Sequence, residues 1–128
     1  MLTGRRFPWG DTPLRQGGQL ARANFGSGVC CAPSATDGSR RTAPVGSYPA
    51  GASPFGVLDM AGNVWEWTAT DFPGRPDERA IRGGGWDNNP YCLRASYRHG
   101  NPPHFSLDMV DFRCVADPAG ANSIGDDP

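Results

Sequence analysis

The chain has 128 residues and a formal net charge of −1, so it has the length of one domain with a modest core and gives no electrostatic reason to bind nucleic acid or a membrane surface. Its 18 glycines and 13 prolines come with 4 tryptophans, 6 phenylalanines and 3 tyrosines, which are too many aromatic residues for a disordered chain. The first residues lack the apolar stretch of a signal peptide and no apolar run has the length of a membrane span, so a cytoplasmic, turn-rich domain is the default expectation.

The first half of the chain is predicted to consist of turns, loops and extended segments. Residues 7–11, FPWGD, place a proline and a glycine around an aromatic residue and predict a packed turn. Residues 12–41 are polar, rich in glycine and serine and without a sustained period, which is typical of a long loop; helix formers for one or two turns occur only around residues 14–24. Three prolines at intervals of five residues exclude an α-helix from residues 42–56.

The second half carries the strand signals. Residues 57–70 are apolar and aromatic, and the alternation of Trp65 and Trp67 predicts a strand with both indoles on one face. The polar segment after Asp117 is predicted to be frayed. Shorter strands are predicted at residues 80–82, which run into a glycine bend at 83–85, at residues 91–98 and at residues 112–115.

Two acidic residues flank a glycine turn next to the predicted tryptophan strand. Asp59 and Glu66 supply carboxylates, and Gly62 and Val64 between them supply carbonyls that an irregular loop can turn inward. Ca²⁺ binds about six to eight hard oxygen ligands, and this spacing matches such a loop. The alternative, from the residues alone, is a solvated Asp59 and a Glu66 that pairs with an arginine.

Other residues with metal-binding or reactive side chains are sparse. Asn24 and Asp37 are oxygen donors that flank the long loop, and by themselves they are turn residues. The cysteines at positions 30, 31, 92 and 114 contain no CxxC pair, so they are either thiols in a reducing cytosol or partners in disulfides between distant segments. Cys92 is a nucleophile, a soft-metal ligand or a small buried apolar residue. The two histidines lack a third ligand for a zinc or iron site.

Four motifs occur in a fixed order: FPWGD, TAPVGSYPAGASPFGVLDMAGNVWEWT, IRGGGWDNNPYCLRASYR and DFRCVAD. This set resembles the formylglycine-generating enzyme family of sulfatase-modifying factor domains, whose relatives include the ergothioneine-forming sulfoxide synthases. The resemblance runs from about residue 6 to residue 117 and covers the C-terminal half of a full domain. It implies an α+β fold, a variant of the C-type lectin fold with short strands, over residues 1–117, followed by a flexible tail at 118–128.

The resemblance implies two calcium sites, so Ca²⁺ is the expected cofactor. In this interpretation the two indoles pack the core while Glu66 binds a cation, and without the ion an irregular loop has little else to order it. One site would use the Asp59 and Glu66 side chains with the Gly62 and Val64 carbonyls, and the other would use the Asn24 and Asp37 side chains with the Phe25 and Ser39 carbonyls.

The resemblance also implies a copper site that this chain does not complete. The resemblance implies that the family's oxidases bind Cu(I) through two cysteinates five residues apart. The second position falls on Cys92, but the first falls on Asp87, a hard oxygen ligand with poor affinity for Cu(I). Gly85 and Asp111 also depart from the serine and glycine usual in the family. Cu(I) and formylglycine synthesis are therefore not expected. The resemblance implies that the sulfoxide synthases use three histidines from a separate preceding domain, so their complete activity is not expected of this chain either.

The sequence is compatible with three functions, and it does not decide whether the chain is an enzyme. The first is a divergent enzyme of the family, whose site would lie around Trp65, Trp86, Asp87 and Cys92. The second is a calcium-ordered, lectin-like module that binds a protein or a small molecule; the residues of 86–111 also suit the variable surface of a diversity-generating retroelement target. The third is a fragment without independent function. Neither nucleic acid nor a membrane is an expected partner, and the oligomeric state stays open.

Overall fold

The fold was analysed in a computed structural model that describes residues 4–15, 21–26 and 38–116. The described residues form one four-stranded sheet and a single turn of 3₁₀ helix at Pro49–Gly51. The strands are β1 (Trp65–Phe72), β2 (Arg75–Arg82), β3 (His99–Asn101) and β4 (Val110–Asp111). The predicted tail at 118–128 and most of the predicted long loop, Asp37 included, lie outside the described residues.

The sheet has the order β3-β2-β1-β4, with a long hairpin at its centre. β1 and β2 pair antiparallel, with Trp67 opposite Ile81, and their connection turns through Gly74 at φ 74°. β3 adds to β2 antiparallel and β4 adds to β1 in parallel, with Trp65 opposite Val110. The parallel pair places Asp111 opposite Glu66 at the start of β1.

Strands are present in both of the segments predicted at residues 57–70 and 80–82, but their bounds differ from the predicted ones. β1 begins only at Trp65 because the preceding residues turn through positive φ at Asp59, Gly62 and Asn63. β2 starts at Arg75, five residues before the predicted strand, because the hairpin pairs it with the whole of β1. Trp65 is buried in the core, and Trp67 packs against the same apolar cluster, as the alternation predicted.

The strand predicted at residues 91–98 is wrong. This segment consists of tight turns, in which the N–H groups of Leu93 and Tyr97 donate to the carbonyls of Pro90 and Arg94 at 3.3 and 2.9 Å. Cys92 and Leu93 are adjacent and both buried, whereas a strand directs adjacent side chains to opposite faces. The apparent alternation of the sequence therefore did not report a strand.

The strand predicted at residues 112–115 is also wrong. Pairing with β1 stops at Asp111, and Phe112 and Val115 are 67% and 93% exposed. Arg113 instead directs its guanidinium to Glu66 and to the carbonyls of residues 58 and 59.

The packed turn predicted at residues 7–11 is confirmed. Phe7 and Gly10 exchange backbone hydrogen bonds of 3.0 Å in both directions, and the Phe7 and Trp9 rings stack with centroids 5.0 Å apart. Residues 42–56 form turns and extended segments, as their prolines predicted, apart from the 3₁₀ turn. The described part of 14–24 has no helix, so the α component of the predicted α+β fold is limited, among the described residues, to that turn.

The core is small and lies against one face of the hairpin. Its buried cluster consists of Phe7, Leu14, Ala23, Ala61, Trp65, Ile81, Cys92 and Leu93. A second cluster joins Ala21, Ala43 and Tyr48. Loops therefore contribute more residues to the core than strands do, and polar contacts must fix those loops. Nothing helical in the described residues is long and apolar enough to cross a bilayer.

Candidate functional site

Three of the four candidate catalytic residues line one cavity. Trp65, Asp87 and Cys92 lie on the wall of a cavity of about 260 Å³, together with side chains from β3 and from residues 105–110. Trp86 does not line this cavity; it is buried, with the Arg41 guanidinium carbon 5.9 Å from its ring centroid. The structure thus brings together Trp65, Asp87 and Cys92 and separates Trp86 from them.

A tight turn fixes Asp87 on the cavity wall. Asn88 donates its backbone N–H to the Gly85 carbonyl at 3.0 Å, and its side-chain Oδ1 accepts the Gly85 N–H at 2.8 Å. The Asn88 carbonyl accepts the N–H of Gly26 at 2.8 Å, which ties the turn to the segment that contains Asn24. Asp87 is therefore held by its neighbours on both sides.

Asp87 is a buried carboxylate whose charge is poorly compensated. It is only 8% exposed, and within the described part of the chain its Oδ1 has no hydrogen-bond partner. Burial raises the pKa of this carboxyl, a hydrogen bond from its own backbone lowers it in part, and the negative charge of Asp108 raises it further. Such a group favours a proton or a cation close to it.

Replacing Asp87 with asparagine is expected to raise the melting temperature at neutral pH. Because the pKa of Asp87 is raised in the folded chain, the protonated carboxyl favours folding below the unfolded-state pKa of about 3.9, and that contribution is lost as the pH rises through the folded-state pKa. Asparagine carries no charge to bury, so its advantage over aspartate is present at neutral pH and shrinks toward about pH 4. Thermal unfolding across this pH range measures the difference.

The matched control is Asp77→Asn, which removes an exposed carboxylate from β2. It is expected to change the melting temperature little at any pH. An Asp87→Asn protein no more stable than wild type at neutral pH would show that the carboxylate is not strained by burial.

The rest of the cavity wall is largely aromatic. The ring centroid of Trp65 lies 5.9 Å from that of Tyr97 and 6.2 Å from that of His99, both in tilted arrangements. Tyr97 in turn meets Tyr91 edge to face at 5.4 Å. Cys92 is a buried thiol, and Cys114 is an exposed thiol. Cys30 and Cys31 lie outside the described residues.

One predicted calcium ligand, Asn24, has an acceptor atom that lacks a donor. Asn24 is 1% exposed, and its Nδ2 donates to the Arg41 carbonyl at 2.6 Å and to Asn63 Oδ1 at 3.0 Å. Its Oδ1 has no hydrogen-bond partner among the described residues. The bond to Arg41 joins segment 21–26, which holds Phe25, to segment 38–41, which holds Ser39. A buried oxygen without a donor between two loops suits a hard cation.

Asn63 is the residue that the sequence analysis missed. Its side chain accepts the Ala43 N–H at 2.7 Å and donates to the Ala43 carbonyl at 3.2 Å. Its backbone N–H donates to Asn24, and its carbonyl accepts from Trp86 at 2.9 Å. Asn63 has φ 68°, and the preceding Gly62 approaches so closely that a Cβ there would lie 2.3 Å from the Asn24 carbonyl oxygen. A Gly-Asn pair is a turn signal, but nothing in it names the distant partners.

The other predicted calcium residues lie around a more open cavity. Asp59, Val64 and Glu66 line a cavity of about 520 Å³, and Gly62 does not. Arg113 lines it too, and its Nε donates to Glu66 Oε2 at 2.7 Å while its Nη2 donates to Glu66 Oε1. Glu66 was interpreted either as a calcium ligand or as the partner of an arginine, and in the structure it pairs with Arg113. No three His, Cys, Asp or Glu side chains of the described ranges are grouped to hold a metal.

A further cavity of about 520 Å³ is lined mainly by apolar groups, among them Phe7, Phe55, Val57 and Met60. None of the predicted catalytic or calcium-binding residues lies on its wall.

Comparison with known proteins places these features in a family. A model of the sulfatase-modifying factor enzyme 1-like domain matches residues 2–118. Hercynine oxygenase of Mycolicibacterium smegmatis is 37% identical over 120 residues, which cover 77% of this chain and 25% of that protein. Inactive C-alpha-formylglycine-generating enzyme 2 of Mus musculus is 32% identical over 121 residues, which cover 90% of this chain and 38% of that protein.

The fold is shared with a solved structure. PvdO from Pseudomonas aeruginosa aligns with a TM-score of 0.63 at 28% sequence identity, over 79% of this chain and 42% of that one. The match therefore spans between a quarter and about two fifths of the length of these three proteins.

Proposed function

The chain belongs to the sulfatase-modifying factor enzyme 1-like domain family, and on this premise we propose that it binds a ligand in the Asp87 cavity without oxidising a cysteine to formylglycine. Family membership alone does not decide whether the chain is an active oxidase, since one relative is itself named an inactive formylglycine-generating enzyme. The chain matches only part of the length of these relatives, so their activities do not transfer to it by similarity alone.

The observation that carries the proposal is the carboxylate on the cavity wall. By resemblance to the family, Asp87 occupies the position of the first copper cysteine and Cys92 that of the second, and both line the same cavity. Cu(I) prefers soft thiolate ligands, and a carboxylate is a hard ligand. The residues present therefore do not fit the family's copper centre.

The chemistry of the cavity favours an organic cation as the ligand. A buried carboxylate with an unpartnered oxygen gains most from a positive charge close to it. The rings of Trp65, Tyr97 and His99 stand around the same space, and aromatic faces attract cations. A ligand with an ammonium group and an apolar body would use both features, whereas a neutral ligand of the same size would use only the rings.

We expect benzyltrimethylammonium to bind in this cavity more tightly than benzyl alcohol does. In the wild-type chain the cation should perturb the NMR signals of Trp65, Tyr97 and His99 in a saturable manner. Asp87→Asn should weaken the cation by about tenfold, which is about 1.4 kcal/mol, because it removes the charge but keeps the shape. Asp77→Asn is the matched control and should leave binding unchanged. Equal binding of both probes, or equal binding to the wild type and the Asp87 variant, would contradict the proposed ligand class.

We also propose that Ca²⁺ binds at Asn24, with Asp37 and the carbonyls of Phe25 and Ser39, and orders the loops beside the cavity. The unpartnered Asn24 Oδ1 supports this site, and the Gly26 to Asn88 hydrogen bond connects it to the Asp87 turn.

On the family resemblance we also propose that the fold is C-type lectin-like. Residues 97–110 supply much of the cavity wall, so a variable ligand surface within 86–111 remains a prediction.

A further inference from the structure

A guanidinium group binds Glu66, one of the residues to which the family resemblance assigns a calcium ion. Arg113 donates from Nε and Nη2 to the two carboxylate oxygens of Glu66, the Nε bond being 2.7 Å. The same guanidinium donates to two backbone carbonyls, from Nη1 to Leu58 at 3.0 Å and from Nη2 to Asp59 at 2.9 Å. One cation thus holds four oxygens, two from a carboxylate and two from the loop before it.

We propose that Arg113 takes the place of the calcium ion at Asp59 and Glu66, so that the chain carries a covalently attached cation there and binds no metal through Glu66. The planar guanidinium has five N–H donors and matches a carboxylate in a bidentate manner. It can therefore neutralise Glu66 and order the 58–66 loop, which are the two tasks assigned to the ion.

Two further oxygens of the expected site, Asp59 Oδ2 and the Gly62 carbonyl, already have donors. Asp59 Oδ2 accepts the Gly46 N–H at 2.7 Å, which turns that carboxylate to a neighbouring loop. The Gly62 carbonyl accepts the Val64 N–H at 3.0 Å. A calcium ion entering here would have to displace protein donors from several oxygens at once.

Electrostatics act in the same direction. The hydrogen bonds from Arg113 to Glu66 raise the pKa of the guanidinium, so its charge is permanent. The paired side chains of Arg113 and Glu66 are 36% and 20% exposed. A divalent ion within a few ångströms of this fixed positive charge would be repelled by it.

The test is the number of calcium ions bound per chain, measured by native mass spectrometry and by calcium titration of the full chain. Glu66→Gln should leave calcium binding as it is in the wild type, because Glu66 is not a ligand there. Arg113→Gln should add one calcium ion per chain, because it exposes the carboxylate and the two carbonyls. Arg98→Gln removes an exposed arginine elsewhere and should match the wild type.

The outcomes separate this inference from the calcium proposal at Asn24. Asn24→Ala tests that other site, and a wild type that binds no calcium would refute it while leaving the gain in Arg113→Gln intact. Loss of a bound calcium ion in Glu66→Gln would overturn the inference about Arg113. So would an Arg113→Gln chain that is folded, as judged by circular dichroism, yet binds no more calcium than the wild type.

Discussion

Replacing Asn63 with alanine is expected to lower the free energy of unfolding by roughly 3 to 5 kcal/mol. The change removes three side-chain hydrogen bonds to Asn24 and Ala43 and leaves buried backbone groups of Ala43 without partners. Each buried polar group left unpaired costs about 1–3 kcal/mol. The positive φ of 68° adds about 1 kcal/mol, since alanine tolerates the left-handed region poorly. A domain of this size has about 5–15 kcal/mol in total, so the loss is a large share of its stability.

Two variants separate the contributions. Asn63→Gly keeps the positive φ accessible and loses only the hydrogen bonds, so it should be less destabilising than alanine. Asn89→Ala removes one exposed, local hydrogen bond of 3.0 Å and should cost less than about 1 kcal/mol. Denaturant unfolding of the three variants and the wild type measures these values. If Asn63→Ala unfolds no more easily than Asn89→Ala, the Asn63 contacts do not hold the loops together.

The second large effect is expected from replacing Asp87 with cysteine. This change places a thiol beside Cys92 on the wall of the same cavity and completes the thiolate pair that the family resemblance assigns to Cu(I). We expect the affinity for Cu(I) to rise by at least about 100-fold, or about 2.7 kcal/mol of binding free energy, because Cu(I) strongly favours soft ligands. Anaerobic competition with a chromogenic Cu(I) chelator measures the gain.

The controls isolate the pair from the other thiols. Cys30, Cys31 and Cys114 also offer sulfur to Cu(I), so copper held by the chain as a whole is not diagnostic. Asp87→Ser changes the size and the charge without adding sulfur and should show no gain. The double variant Asp87→Cys with Cys92→Ser should lose the gain. If the double variant retained it, the added thiol would be acting with a partner other than Cys92.

Two local sequence signals gave correct predictions. The packed turn at residues 7–11 and the placement of both indoles on one face follow from short-range patterns, and both are present. The prediction at 91–98 failed because alternation over a few residues does not distinguish a strand from consecutive turns. The neighbours Cys92 and Leu93, both buried, reveal the difference only in three dimensions.

Part of the candidate site was predicted correctly from the sequence. The resemblance to the family placed Asp87, Cys92 and Trp65 in one site, and the structure brings these three residues to one cavity. Trp86 belongs to the same predicted site, yet it does not line the cavity. The pairing of Arg113 with Glu66 joins residues 47 positions apart, and no spacing rule identifies which arginine a glutamate will bind.

Retention of Cu(I) by the wild-type chain, compared with its Cys92→Ser variant in the same anaerobic competition, tests the central claim most directly. The claim is that a carboxylate at position 87 leaves this member of the family without a copper centre. The account predicts that the two chains hold the same amount of Cu(I), since Cys92 alone does not form a site. One additional cuprous ion held by the wild type and lost in Cys92→Ser would contradict it.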